Sequence, residues 1–203
     1  CRCMKWLFVG PSLLAGIGQV TKKYADLVGG QYREFSEPPG SDVYDVGFAF
    51  VLPIPQHMNL VDQHLKKCTK KMYMTVCETE TVHSAYGLLI NRYKTIFVPS
   101  EFCQRVLSKQ FPHGTWRVLR HTAHGSPLPP PVTTKEYTFY TIGNMADPRK
   151  NIRMLLEAFV RLNMPETRLV LKATCREPFT CNIPRVTVIN GLLNDDQMEN
   201  IHQ

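Results

Sequence analysis

Residues 137–162, with the sequence YTFYTIGNMADPRKNIRMLLEAFVRL, contain the pattern that decides the fold of this chain. Residues 137–142 are aromatic, β-branched or otherwise apolar, which predicts a buried strand. A glycine and a short polar turn follow at residues 143–147. Asp147 and Pro148 then form the pattern of an N-cap and the first residue of a helix. Apolar residues at helical spacing mark the buried face of that helix: Ile152, Leu155, Leu156, Phe159 and Leu162.

Two cations follow Pro148 directly, and their position predicts a bound anion. Arg149 and Lys150 would lie in the first turn of the helix, where unpaired backbone N–H groups already carry partial positive charge. A cation there opposes the helix dipole unless an anion binds at the same end. The alternative for Lys150 is an ordinary solvated lysine on a surface helix.

The composition is that of a globular protein that binds anionic partners. The chain has 203 residues, a hydrophobic fraction of 43% and a formal charge of +7. No apolar run is long enough to span a membrane and no secretory signal is visible, so we expect a cytoplasmic protein. The clustered basic residues predict either a solvated helix face or peripheral contact with an anionic membrane: Lys66, Lys67, Lys70 and Lys71. No nucleic-acid-binding motif is present, so no nucleic-acid partner is expected.

The seven cysteines predict neither a zinc site nor a disulfide framework. Their number is odd, no CxxC pair occurs, and neither of the closely spaced pairs has histidine partners nearby. We therefore expect reduced thiols.

Strands and helices alternate along the first part of the chain, which predicts an α/β fold with a mostly parallel sheet and helices on both faces. The predicted strands are residues 5–9, 31–35, 43–52, 72–76, 95–98 and 116–119. The predicted helices are residues 17–28, 59–70, 81–92 and 100–110, the last of them capped by Ser100.

A proline-rich segment, SPLPPP at residues 126–131, separates this part from a second α/β pattern. The predicted organisation is a unit at residues 1–125, a hinge at 126–136 and a partial second unit at 137–203. Beyond residues 137–162 the second unit has predicted strands at 168–173 and 186–189 and a helical start from Asn194. This is the first half of a doubly wound domain.

Several segments of the chain resemble segments of the GT-B glycosyltransferases and follow one another in the same order. Among these enzymes, the resemblance is to the retaining, nucleotide-sugar-dependent members of family 4. Residues 143–151 resemble the family's G-R-x-x-x-P-R-K-G segment, and residues 155–159 its L-L-x-A-F continuation. Shorter matches are the GIG turn at 16–18, ETE at 78–80, VPSEF at 98–102 and HG at 124–125. The resemblance implies a GT-B-like fold, with an N-terminal Rossmann-like domain and the first half of a second one.

The resemblance also implies sugar transfer from a UDP- or GDP-sugar to a glycan, lipid or protein acceptor, with retention of configuration. The nucleotide sugar is a substrate, and we expect no metal and no other cofactor, because lysine and backbone N–H groups can stabilise the leaving phosphate. The expected donor-binding residues are Gly143, Asn144, Arg149 and Lys150. The expected acceptor-binding residues are Gly16, Gly18, Glu80 and His124, and the expected catalytic residues are Glu78 and His83.

The chain departs from the family pattern at two places. Asn144 stands where the family usually has an arginine that binds the diphosphate, so Arg149 is expected to supply that charge. The family's Glu-x7-Glu pair would follow Gln203. The second hypothesis is therefore a non-catalytic module that binds a nucleotide or acceptor and needs a partner.

Simpler roles compete for several of these residues. Gly16 and Gly18 also suit a plain strand-to-helix turn, or a dinucleotide fold in which Glu34 would bind ribose. Thr21 occupies the place of that motif's third glycine, which weakens the dinucleotide interpretation. Glu80 could cap a helix, and His83 and His124 could be surface histidines.

Overall fold

The computed structural model describes residues 3–121, 136–174, 177–191, 193–194 and 197–198. The chain divides into two compact units, Cys1–His124 and Gly125–Gln203. Almost all of the predicted hinge, and His124 before it, lie outside the described residues.

The first unit alternates strands and helices around a six-stranded sheet. Its strands are β1 (Trp6–Gly10), β2 (Gln31–Glu34), β3 (Tyr44–Phe50), β4 (Cys68–Met74), β5 (Ile96–Val98) and β6 (Trp116–Val118). Its helices are α1 (Gly16–Leu27), α2 (Pro55–Leu65), α3 (Gly87–Arg92) and α4 (Glu101–Gln110). All neighbouring strands are parallel, in the order β2-β1-β3-β4-β5-β6. The prediction of an α/β unit with a parallel, Rossmann-like sheet is confirmed.

Apolar side chains on both faces of this sheet hold the helices in place. On one face, Phe8 and Phe48 pack with Tyr24 of α1. On the other face, buried residues of α2, α3 and α4 pack against the sheet, among them Leu65, Leu89 and Leu107. The sheet is therefore covered on two sides, as a parallel sheet requires.

The predicted helix at 59–70 and strand at 72–76 are both present, but their limits are wrong. Helix α2 ends at Leu65, and β4 begins at Cys68, so Lys70 and Lys71 lie on a strand. Their high helix propensity is overridden because β4 pairs with β3 at six positions and buries Tyr73 and Met74. The four lysines of residues 66–71 are exposed, but they do not form one helix face.

The prediction of a helix at 81–92 is correct only in its second half. A 3-10 turn at Ser84–Tyr86 leads into the short α3, and residues 81–83 before it are not helical. The side chain of Gln110 holds this segment, because Gln110 Oε1 accepts from the Val82 N–H and Gln110 Nε2 donates to the Val82 carbonyl, at 3.0 and 2.6 Å. These bonds compete with the backbone hydrogen bonds that Val82 would make in a helix.

The N-cap of α4, predicted from the sequence, is confirmed and can be tested. Ser100 Oγ accepts a hydrogen bond from the Cys103 N–H at 3.2 Å. We expect Ser100→Ala to lower the free energy of unfolding by about 1 kcal/mol in urea denaturation. Ser108→Ala, at an exposed position inside the same helix, should change it by no more than about 0.5 kcal/mol. Equal effects of the two changes would contradict the assigned cap.

The second unit is a smaller parallel sheet with one helix between its first two strands. Its elements are β7 (Tyr137–Gly143), α5 (Ile152–Leu162), β8 (Thr167–Ala173) and β9 (Val186–Ile189). The described strands pair in the order β7-β8-β9, all parallel. Ile152 and Phe159 of α5 pack on Leu169 and Leu171 of β8 to form the core. No helix of the described residues is long and apolar enough to cross a membrane.

Two expectations about the second unit are wrong. β7 is not a buried strand, because in the described sheet it pairs with β8 alone, and Tyr137, Phe139 and Tyr140 are 65%, 40% and 45% exposed. The α-helix begins at Ile152 rather than at Pro148. Residues Pro148–Lys150 form a separate 3-10 turn.

Candidate functional site

A pocket of about 690 Å³ opens at the carboxyl ends of β7 and β8. This is the edge where open α/β sheets bind their ligands. The pocket is lined by the loop after β7, with Asn144, Met145 and Ala146, and by the segment after β8, with Thr174, Glu177, Pro178 and Phe179.

The loop after β7 is braced by its own hydrogen bonds. Asn144 Oδ1 accepts from the Ala146 N–H at 3.0 Å, and the Asn144 carbonyl accepts from the Asp147 N–H at 3.1 Å. Met145 belongs to this loop, and its side chain is buried in the core of the second unit. Asn144 therefore shapes the loop, a role that differs from the charged arginine of the family pattern.

Lys150 lies across the end of β7. A methyl group built on Gly143 would lie 3.1 Å from Lys150 Cε, so the missing side chain at this glycine makes room for the lysine stem. Lys150 itself is exposed. The structure thus places the stem of Lys150 against Gly143, the residue before Asn144 of the pocket lining. Of the predicted donor-binding residues, Asn144 lines the pocket itself.

Arg149 is held in a different way. Its guanidinium donates to Asp147, with Nη2 2.8 Å from Oδ2, and the Arg149 N–H donates to Asp147 Oδ1 at 3.0 Å. These hydrogen bonds lower the pKa of the Asp147 carboxyl below its ordinary value. A carboxylate of the protein therefore compensates the charge of Arg149 in this structure.

The 3-10 turn at Pro148–Lys150 replaces the expected first turn of the α-helix. Asp147 caps this turn, and Asn151 follows it in the left-handed region at φ 48°. Asparagine tolerates that conformation better than most residues, and it interrupts the helical path before Ile152. Neither Arg149 nor Lys150 lies in an α-helical first turn, so the expected opposition to a helix dipole does not explain them.

The second wall of the pocket was not found from the sequence. Thr174, Glu177 and Phe179 follow β8, and no motif marks them. Only their position after a strand could have indicated them, because ligand-binding residues concentrate after the carboxyl ends of parallel strands. Phe179 packs partly against the core of the unit while it lines the pocket.

Lys172 joins the ends of two strands beneath this pocket. Its side chain is 2% exposed, and its ammonium donates to the carbonyls of Ala173, at 2.9 Å, and Gly191. Charge-assisted bonds of this kind compensate the burial of the ammonium in part. The result is a fixed connection between the end of β8 and the turn that follows β9.

The predicted acceptor glycines differ in their surroundings. A Cβ atom on Gly18 would lie 2.3 Å from the Ser12 carbonyl oxygen and 2.5 Å from that of Pro11. A Cβ atom on Gly16 would meet nothing within 4 Å. Glu34 Oε1 accepts from the Leu13 N–H at 3.2 Å, so it braces this loop. Gly18 is required for the close approach of α1 to the loop after β1.

Glu78, Glu80 and His83 lie together on the exposed segment after β4. His83 Nδ1 accepts from the Ala85 N–H at 3.1 Å, so the neutral ring carries its proton on Nε2. Tyr86 donates to the Val76 carbonyl at 2.6 Å, and burial, with smaller contributions that include Glu78, raises its pKa to about 12.

The topology places this segment and the Gly16–Gly18 turn at the same edge of the sheet. Strand β3 separates β1 from β4, so the two strand ends are about 10 Å apart. His124, the remaining predicted acceptor residue, lies outside the described residues.

Cysteine chemistry does not contribute to this edge of the first unit. Cys77 is 5% exposed, and burial together with the neighbouring Cys103 raises its pKa to about 12. A thiol of this kind stays protonated and is a poor nucleophile. In the part of the chain that the structure describes, Cys3, Cys68, Cys77, Cys103 and Cys181 are free thiols.

Comparisons with known proteins do not place the chain in a family. No protein-family model matches it, and no curated protein matches it. Within the described ranges, no group of three or more His, Cys, Asp and Glu residues is arranged to hold a metal ion.

Proposed function

We propose that the chain is a GT-B-like glycosyltransferase that transfers a sugar from a nucleotide donor to a glycan, lipid or protein acceptor. One observation supports the proposal: a pocket of about 690 Å³ opens at the carboxyl ends of β7 and β8, and one of its walls is the loop that follows Gly143. A volume in this range suits a nucleotide-sized ligand. We assign the diphosphate of a UDP- or GDP-sugar to this loop, where Lys150, whose stem contacts Gly143, would bind it.

Lys150 would act on the leaving group. In the transfer, the bond between the anomeric carbon and the donor phosphate oxygen breaks, and the electron pair stays on the phosphate. The acceptor oxygen forms the new bond to the same carbon, and its proton passes to an oxygen of the departing diphosphate. Negative charge therefore grows on the nucleoside diphosphate, where an ammonium stabilises it. Gly143 contributes by leaving space for the lysine stem.

The first unit would bind the acceptor. Gly16 and Gly18 lie in the first turn of α1, after the carboxyl end of β1, and Glu80 lies on the segment after β4, together with Glu78 and His83. Because His83 Nδ1 accepts a backbone hydrogen bond, its Nε2–H is the group that can meet a substrate oxygen. In this proposal, His83 donates a hydrogen bond to a substrate oxygen, and Glu78 accepts one from the acceptor hydroxyl. Docking of the exposed Lys66–Lys71 segment on an anionic membrane stays a prediction.

Nucleotide titration of the intact chain tests the proposal. We expect UDP or GDP to bind with a submillimolar dissociation constant by calorimetry, and the matching nucleotide sugar to be cleaved when acceptors are supplied. Binding without sugar release would favour the second hypothesis, a nucleotide-binding module that needs a partner. Absence of binding of both nucleotides at millimolar concentration would refute both assignments of the pocket.

A further inference from the structure

The pocket at the ends of β7 and β8 has two chemically different sides. Asn144 and Ala146 line one side, in the loop that follows Gly143. The other side carries the aromatic ring of Phe179 and the carboxylate of Glu177. A phosphate uses neither an aromatic ring nor a carboxylate, so the second side favours a further chemical group in the same ligand.

We infer that Phe179 and Glu177 form the nucleoside subsite of this pocket, an inference that depends on the proposed function. The Phe179 ring stacks on the base, and the Glu177 carboxylate accepts hydrogen bonds from the two ribose hydroxyls. Every base offers a flat π-face to an aromatic ring. A carboxylate is the group that accepts from ribose hydroxyls in other α/β nucleotide sites.

The backbone of Phe179 is fixed at both of its polar groups. Its N–H donates to Asn190 Oδ1 at 2.9 Å, and its carbonyl accepts from Asn190 Nδ2 at 3.0 Å. Asn190 follows directly after β9, so the asparagine ties the aromatic segment to the end of a strand. A fixed backbone at Phe179 lowers the ordering cost of binding a base to its ring, compared with a mobile loop.

The placement of Phe179 also explains its partial burial. The ring packs against the core of the second unit and lines the pocket. An aromatic residue needed only for the core would be expected to be enclosed, whereas half-buried Phe179 keeps part of its ring at the pocket surface. Asn190 is therefore a positioning residue and Phe179 the residue that contacts the ligand.

The test compares UDP and GDP with inorganic pyrophosphate on variants of the full chain. We expect Phe179→Leu to weaken the tighter nucleotide about tenfold or more, since an aromatic ring stacks on bases and a leucine does not. Pyrophosphate, which has no base or ribose, should keep its affinity within about twofold. Phe179→Tyr should restore nucleotide binding, and Glu177→Gln should weaken nucleotides but not pyrophosphate.

Two further variants test the role of Asn190 and provide a control: Asn190→Ala and Phe139→Leu. Loss of the Asn190 clamp should weaken the nucleotide and leave pyrophosphate unchanged. Phe139, 40% exposed on β7 and outside the pocket lining, is the matched aromatic control and should change neither affinity.

The outcomes separate this inference from the proposed function. If the unaltered chain binds neither nucleotide, the proposed function fails. If it binds one of them and Phe179→Leu binds equally well, the proposed function stands and the nucleoside subsite is wrong. A parallel loss of pyrophosphate and nucleotide binding in Phe179→Leu would also overturn the inference, because it would show a general structural role for the ring.

Discussion

Lys150→Ala lowers the affinity of the chain for UDP and GDP about tenfold to a hundredfold, the expected range for loss of a charge-assisted contact to phosphate. The lysine stem lies against Gly143, with Lys150 Cε 3.1 Å from the position of a Cβ atom on that glycine. Sugar transfer should fall by more than binding does, because negative charge on the phosphates is greatest in the transition state. Calorimetry measures the first effect and donor turnover the second.

Arg153→Ala is the matched control for this result. Arg153 is a cation of α5, its side chain is 88% exposed, and its ion-pair partner, Glu157, lies on the same helix. Its removal changes the net charge of the chain by the same amount, so any general electrostatic effect on nucleotide affinity appears in both variants. Equal affinities for Lys150→Ala, Arg153→Ala and the unaltered chain would eliminate Lys150 as the phosphate ligand.

Gly18→Ala should destabilise the first unit strongly, whereas Gly16→Ala should not. A Cβ atom on Gly18 would collide with two backbone carbonyl oxygens, at 2.3 and 2.5 Å, and backbone cannot rotate away as a flexible side chain can. We expect a loss of about 1–3 kcal/mol in the free energy of unfolding, the usual range for overpacking. Gly16 has open space around its Cβ position, so alanine there should be neutral or stabilise α1 by up to about 1 kcal/mol.

Tryptophan fluorescence in urea can follow this comparison. Both tryptophans of the chain, Trp6 and Trp116, lie on strands of the first unit, so the signal reports on that unit. A Gly18→Ala protein as stable as Gly16→Ala would show that the loop after β1 moves easily. In that case Gly18 would have no packing role, and its proposed part in acceptor binding would gain weight.

The elements with a strong local pattern could be predicted from the sequence. Helix α4 has a serine cap and a regular apolar stripe, and its predicted limits agree with the structure. Strand β9 is also placed at its predicted residues. In both, local preference and tertiary packing favour the same conformation.

The elements that were missed are those in which tertiary contacts override local preference. Lysines at 70 and 71 favour a helix, but pairing of β4 with β3 places them on a strand. Val82 fits a helical pattern, but its backbone N–H and carbonyl are hydrogen-bonded to Gln110, 28 residues away, and it lies outside the helix. No local pattern contains such a distant partner.

The candidate site could be predicted in part for a similar reason. Gly143 and Lys150 lie within one local motif, and the structure places them in contact. Phe179 has no motif, and its position depends on Asn190, 11 residues further along the chain. The 3-10 turn before α5 depends on Asn151 in a left-handed conformation, which a residue name alone does not specify.

The exposed edge of β7 has a consequence for how concentrated solutions of the protein behave. The other edge strands of the two sheets are shorter than the seven residues of β7. Two of them also contain charged side chains: β2 has Arg33 and Glu34, and β6 has Arg117. The sequence YTFYTIG of β7 contains no charge and no proline. In the described sheet, this edge is the least protected against pairing with a strand of another molecule. A substitution to lysine on β7 would therefore reduce aggregation more than one on another edge strand.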